Sequence, residues 1–195
     1  GRSAGPLLIR AGLLHDLGTR AGPYVARLLG QEVLSASMAA TVMRRLCFSS
    51  AETVRVRLSV SNHLRPEQLA QEGPEPTRRA IYRFFRDAEP AGPDAILLSL
   101  VVHLAASGLE PDPDRWQRHL DASRALLHAY YEQRREVVDP PLAIDGHGLM
   151  EALGLRPGPR LGDLLDSIRE AQAAGEVSSR EQASGLAREL LESGV

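Results

Sequence analysis

Residues 77–87 read TRRAIYRFFRD, and the spacing of charged and apolar side chains in that stretch sets the fold class. At about 100° per residue from Arg78, the side chains of Arg79, Arg83 and Arg86 fall near 100°, 140° and 80°, with Tyr82 near 40°. Ile81, Phe84 and Phe85 fall between about 240° and 340°. One stripe is basic and the other belongs in a core, which is the signature of an amphipathic helix.

The same period continues in both directions. Residues 94–107, DAILLSLVVHLAAS, are nearly all apolar and are expected to form a central helix. Upstream, helices are expected over 6–18, 23–29, 32–46 and about 50–63, and Pro66, Pro74 and Pro76 bracket a loop. Val54, Val56, Leu58 and Val60 alternate briefly, but they follow the helix-like start Ser50-Ala51-Glu52 and are read as helix, with Ser49 or Ser50 as cap. Downstream, a long helix is expected over 114–137, with Trp116, Leu120, Leu127 and Tyr130 as its core positions. Asp145 caps a helix over 146–153 that Gly154 closes. Pro159 opens one that runs to Ala174 and is closed by Gly175, and Ser178 with Glu181 forms a capping box for the last. No convincing strand pattern occurs, so the fold is expected to be all-α. Asp139-Pro140-Pro141 cannot continue a helix and marks a boundary between a helical body, 1–138, subdivided near 66–76, and a helical tail, 139–195.

The bulk composition of the 195 residues narrows the function classes. Hydrophobic residues make up 43% and aromatics 4%, so aliphatic side chains must fill the core. No uninterrupted apolar run reaches the 18 or so residues of a membrane span, so no transmembrane protein is expected, and the lone cysteine makes a cytoplasmic compartment the expectation. The single cysteine, Cys47, excludes an internal disulfide and is expected to be a small buried hydrophobe. The chain begins Gly1-Arg2-Ser3 and is expected to be a fragment of a longer protein. All 23 basic residues are arginine, which suits phosphate contacts but also follows from a coding bias, so position must decide. Residues 142–195 hold five arginines against nine acids, and that balance does not make a general polyanion-binding arm.

Three places carry candidate chemistry. His15-Asp16, at the end of an apolar helix, pairs an imidazole with a carboxylate that together suit a divalent metal, although a histidine there is more often a cap or a packed side chain. Arg78, Arg79, Arg83 and Arg86 on one stripe suit an RNA backbone, with Tyr82 placed to stack; the competing outcome is pairing with acids such as Glu75, Asp87 and Glu89. In GLRPGPRLG, 154–162, Gly158 and Gly162 let backbone N–H groups at a helix start approach a phosphate, with Arg156 and Arg160 alongside; alternatively Gly158 only permits a tight turn. His119, His128 and His147 show no spacing that favours metal over surface. No phosphate-loop lysine, nucleophile elbow or Cys–His pair is present.

The order of these motifs resembles a known family. Leu13-Leu14-His15-Asp16-Leu17-Gly18, then Gly30-Gln31-Glu32, Arg45-Leu46-Cys47-Phe48-Ser49 and Asn62-His63-Leu64-Arg65-Pro66, is similar to the HD domain of bacterial tRNA nucleotidyltransferases and poly(A) polymerase-like proteins. Residues 77–87 and 98–105 continue the resemblance, and 144–183 resembles the C-terminal tail of that superfamily. The likeness covers about residues 7 to 188. It implies an HD-like helical bundle with a helical tail, holding tRNA or another structured RNA while a head domain, absent here, adds CCA or A using Mg2+. It also implies that His15, Asp16 and His63 match metal-site positions. Three departures weaken that site: Gln31 stands where the family has histidine, Val102 where it has aspartate, and the leading histidine is outside the chain. A phosphohydrolase needs several ligands to hold an ion and activate its water, so no catalytic residue is expected, and any divalent metal is expected to be held weakly. The competing readings are an HD-type metal phosphohydrolase and a structural module that makes a homodimer.

Overall fold

A computed structural model describes residues 4–21, 30–108 and 112–193. Among them are ten α-helices and no strand. They are α1 (Ala4–Leu14), α2 (Gln31–Arg45), α3 (Ser50–Asn62), α4 (Arg65–Glu72) and α5 (Arg78–Ala88). There follow α6 (Gly92–Ser107), α7 (Pro113–Glu132), α8 (Gly146–Leu153), α9 (Pro159–Ala174) and α10 (Arg180–Glu192). The all-α expectation holds. The helix expected over 23–29 lies outside the described residues.

The chain forms two compact units, Gly1–Pro76 with Phe84–Leu127 and Thr77–Arg83 with His128–Val195. In the first, α2 buries Ala36, Ala39, Ala40 and Met43, at the spacing of one helix face. Val56 and Val60 of α3 meet that face, together with Leu7 and Ala11 of α1 and Leu98 of α6. The alternating valines are therefore helical: Val56 and Val60 are in the core while Val54 is 40% exposed. The start of α3 is fixed by a capping box in which Ser49 Oγ accepts from the Glu52 N–H and the Glu52 carboxylate accepts from the Ser49 N–H.

Four expectations are corrected in this unit. Pro66 does not bracket a loop; it sits in the first turn of α4, where its missing N–H costs nothing, and Leu69 and Ala70 anchor that helix. α6 is not enclosed, because Val101 is 58% exposed and Leu97 and Leu104 are also open. Its start instead buries Asp94, whose carboxylate is gripped by the Arg55 guanidinium, since a buried charge needs such a partner. On α7 the buried face is His119, Ala122, Ser123, Leu126 and Ala129. Trp116, Leu120, Leu127 and Tyr130 are only half-buried on its flank.

Cys47 is exposed rather than buried. α2 ends in a left-handed turn: the Phe48 N–H reaches the Met43 carbonyl at 3.1 Å and the Cys47 N–H reaches that of Arg44 at 3.0 Å. Cys47 takes the left-handed position, φ 58°, that glycine usually fills.

In the second unit Leu149 of α8, Leu164, Ile168 and Ala171 of α9, and Ala183 and Ala187 of α10 form the core with Ile144 and Val177. The expected caps are present: Asp145 Oδ1 accepts from the Gly148 N–H at 2.8 Å, and Gly154 and Gly175 close their helices at positive φ. The last capping box is one residue later than expected, at Ser179 and Gln182, because the Gln182 Oε1 also collects the Ser178 N–H at 2.8 Å. The expected helix over 114–137 gives way after Glu132 to a wider π turn over Arg134–Val138, which lets the adjacent Val137 and Val138 both turn inward.

A β-carbon in the left-handed region costs on the order of 1 kcal/mol. Cys47→Gly is expected to stabilise the protein by about that amount, read as a higher urea midpoint at unchanged m value; an unchanged or lower midpoint contradicts the assignment.

Candidate functional site

The LLHDLG motif closes α1 and opens onto a cavity of about 510 Å³. Its tight turn needs Gly18, whose N–H donates to Ser35 Oγ at 2.9 Å; a β-carbon there would lie 2.9 Å from the Gln31 carbonyl oxygen and the Ser35 nitrogen of α2. His15 and His63 both line the cavity and touch edge to face, with ring centroids 5.4 Å apart. Each ring is oriented from behind by a backbone carbonyl, Gly12 for His15 and Val60 for His63, both at 2.7 Å. Burial lowers the His63 pKa, and the neighbouring His15 lowers it further, so its ring is neutral at physiological pH.

Asp16 is exposed and held by the Gln31 amide at 3.3 Å, while Val101 and Val102 of α6 line the opposite wall. The sequence expectation thus brings His15, Asp16 and His63 to one cavity, which Glu32 also lines. Where the resemblance implies further ligands there stand an amide and an apolar wall. Among the described residues, three ligand atoms within 4.8 Å of one another occur elsewhere, at Glu67, His103 and His119.

The arginine stripe is largely engaged inside its own unit. Arg79 reaches Glu176 at 2.6 Å and Glu170 at 3.6 Å, and Arg83 reaches Glu170 at 2.6 Å. Arg78 donates to the Ala173 carbonyl at 3.0 Å and to that of Glu136 at 3.3 Å. In the other unit Arg86 pairs with its neighbour Asp87 at 3.0 Å. Of the acids considered from sequence, Asp87 pairs with Arg86; Glu170 and Glu176 come from α9 and the turn after it, which spacing along α5 could not show. Tyr82 is 3% exposed, so its ring packs inside the protein instead of facing solvent for stacking.

The start of α9 is different. Gly158 is extended (φ 170°), a conformation open to any residue, so it is not there to permit a turn. A β-carbon at Gly158 or Gly162 would meet nothing within 4 Å. No side chain caps this helix and its first turn has no acid. Arg156 and Arg160 are exposed beside it, Arg160 donating to the Leu191 carbonyl at 3.3 Å. Pro159 has no N–H and the Leu161 N–H donates to the Gly158 carbonyl at 3.1 Å, so what this end offers an anion is an open helix start flanked by two cations.

Sequence reading missed the Glu67–His103–His119 group. Glu67 stands in a helix read as a loop, and His119, expected at a surface, is fully buried against Ser99 Oγ at 2.9 Å. The buried spacing 119, 122, 123, 126 was the available signal. Burial pushes the His119 pKa down to about 4. An unfolded histidine titrates near 6.5, so below that pH the unfolded chain binds a proton that the folded chain refuses. Stability is therefore expected to be full above about pH 6.5 and to fall towards pH 4, by up to about 1.4 kcal/mol per pH unit for this group. Urea midpoints measured with chelator present should show that fall and a shallower one in His119→Gln; parallel curves would remove the assignment.

Comparison with known proteins agrees with the motif order. The family described as "tRNA nucleotidyltransferase domain 2 putative" matches residues 115–184. A CC-adding tRNA nucleotidyltransferase of Thermus thermophilus is 30% identical over 179 residues, which is 89% of this chain and 37% of that protein. An A-adding tRNA nucleotidyltransferase of Deinococcus radiodurans is 30% identical over 184 residues, 91% of this chain and 40% of that protein. A CC-adding enzyme of Geobacter sulfurreducens is 31% identical over 187 residues, 87% of this chain and 40% of that protein. No solved structure gives a significant match. The chain spans about two-fifths of the length of these curated relatives. Over roughly nine-tenths of its own length, the chain is similar to these tRNA nucleotidyltransferases.

Proposed function

We propose that this chain is the RNA-binding helical body and tail of a tRNA nucleotidyltransferase-like protein acting in the cytosol. In this reading it holds tRNA in place while a head domain, outside these residues, adds nucleotides to the 3′ end with Mg2+. The observation that carries the reading is likeness over nine-tenths of the chain to proteins named for adding C or A to tRNA. CC-adding and A-adding relatives match at the same identity of 30%, so identity does not select the nucleotide added.

Within the chain, the RNA contacts divide by what the side chains already do. The start of α9, with Gly158, Arg160 and Gly162, is the primary phosphate contact, since its backbone is open on the side of both glycines and two exposed arginines flank it. Arg78, Arg79, Arg83 and Arg86 contribute positive potential from positions fixed by their own partners. Tyr82 supports that helix from within. The His15–Asp16 pocket is a degenerate HD site that retains its two oriented imidazoles without the ligands that hydrolysis needs.

Gly162→Ala separates these roles. Ala is favoured over Gly inside a helix by about 0.8–1.0 kcal/mol, and the methyl group meets open space, so the fold should be unharmed or stabilised. Its tRNA affinity is expected to drop several-fold, and Arg160→Glu should drop it further and lower the salt dependence of binding. Fluorescence anisotropy with labelled tRNA at several salt concentrations measures both. If the unmodified chain binds no tRNA the proposal fails as a whole; if the variants bind as it does, the assignment to α9 fails.

A second reading, a homodimer, is favoured by one observation. Leu97, Val101 and Leu104 recur on a single open face of α6, and Ile9 and Leu13 are exposed on α1 in the same unit. Sedimentation velocity over a hundredfold range of concentration is expected to show a concentration-dependent increase that Val101→Glu abolishes; a monomer throughout removes this reading.

A further inference from the structure

Apart from the His15–Asp16 pocket, the first unit gathers a second set of polar side chains in its interior. Glu67 comes from α4, His103 from α6 and His119 from α7. Each supplies a donor atom, and the three atoms lie within 4.8 Å of one another. His103 is 5% exposed and His119 is fully buried, with ring centroids 5.1 Å apart.

On each ring, one nitrogen is anchored and the other is bare. His103 Nδ1 meets Glu67 Oε1 at 3.1 Å and His119 Nε2 meets Ser99 Oγ at 2.9 Å. His103 Nε2 and His119 Nδ1 are both buried with no hydrogen-bond partner. Buried polar atoms are nearly always paired, because an unpaired one forfeits its water for nothing. His119, with Nε2 held by an oxygen and Nδ1 bare, has the form in which histidine ligates a metal, and on His103 it is Nδ1, 3.1 Å from Glu67 Oε1, that lies on the side of the carboxylate.

We propose that Glu67, His103 and His119 form a site for a zinc-class divalent transition-metal ion that ties α4, α6 and α7 together. Two imidazoles and a carboxylate suit zinc, cobalt or nickel, whereas magnesium and calcium prefer oxygen alone. In a tetrahedral site, bonds of about 2.0–2.1 Å place ligand atoms roughly 3.3–3.4 Å apart, so donors now within 4.8 Å of one another close by up to about 1.5 Å on binding. Arg115 Nε, 2.9 Å from Glu67 Oε1, orients the carboxylate from outside and leaves Oε2 for the ion. Trp116, its ring centroid 5.3 Å from that of His103, covers the same side. Water completes the coordination. The low pKa of His119, about 4, keeps its ring neutral and its lone pair available at physiological pH. This ion is structural, and its site does not rest on the RNA-binding reading.

The test uses the whole chain, stripped with chelator and loaded with Co2+ or Zn2+ alone. We expect one Co2+ per chain with the intense visible absorption of a low-coordinate site, and a melting temperature several degrees higher with Zn2+. Both signals should be lost in Glu67→Gln and in His119→Gln, and kept in a chain carrying His15→Gln with Asp16→Asn. If His119→Gln fails to fold, Glu67→Gln, at a side chain 19% exposed, carries the comparison. No stoichiometric ion on the unmodified chain, an ion retained by Glu67→Gln, or an ion lost with the His15 and Asp16 changes would each overturn the proposal.

Discussion

Close helix approach through alanine is the constraint on which the rest of this structure depends. With aromatics at 4% of the chain, few large side chains are available to fill wide gaps between helices. The buried faces accordingly carry Ala11, Ala36, Ala39 and Ala40 in the first unit and Ala171, Ala173, Ala183 and Ala187 in the second. Small residues at a contact bring helix axes together and let backbones set the geometry. Gly18 meets the same demand where the turn after α1 lies against the start of α2. The three phenylalanines are used sparingly, with Phe84 and Phe85 packed edge to face at 5.0 Å in the first unit.

Tight seams leave polar groups few places to hide, so the buried carboxylates are held by cationic partners. Asp94 has Arg55, and Glu67 is shared by Arg115 and His103. Against the raising effect of its burial, those two partners hold the Glu67 carboxyl below its usual range. In the second unit the arginines at the start of α5 serve the same end, capping the carbonyl of Ala173 and neutralising Glu170 and Glu176. Their basic stripe was plain in the sequence, but its main occupation is architectural. An arginine that satisfies a helix end still projects positive potential, so holding the tail and attracting a polyanion are compatible uses of the same side chain.

What could be read from sequence follows the range of the forces involved. Helix period, caps and stops are local, and Ser49 with Glu52, Asp145, Gly154, Pro159 and Gly175 stand where the pattern put them. Errors fell where distant residues decide. Pro66 reads as a breaker until Leu69 and Ala70 give its helix a core to rest on. Cys47 reads as buried because cysteine usually is, yet the turn it closes puts it outside. The buried face of α7 was misjudged by one residue because large side chains attract attention, while Ala122 and Ala129 do the packing. His15, Asp16 and His63 were legible as a group through motif order, whereas Glu67, His103 and His119 follow no motif and meet only in the fold.

The two histidine sets are held in different ways. At the His15–His63 cavity both rings have backbone anchors, and Gln31 and Val102 stand where the family resemblance implies a histidine and an aspartate. Anchors of that kind cost nothing to retain, because each satisfies a carbonyl near a helix end that would otherwise be orphaned. Retained orientation is therefore weak evidence of retained catalysis. The inner set differs in kind: His103 and His119 bury ring nitrogens that no protein group satisfies, a cost that the fold would shed by substitution unless something repaid it. A buried ring nitrogen without a partner, converging with two other donor atoms, and not a recognisable motif, is what directs the metal proposal to the inner set.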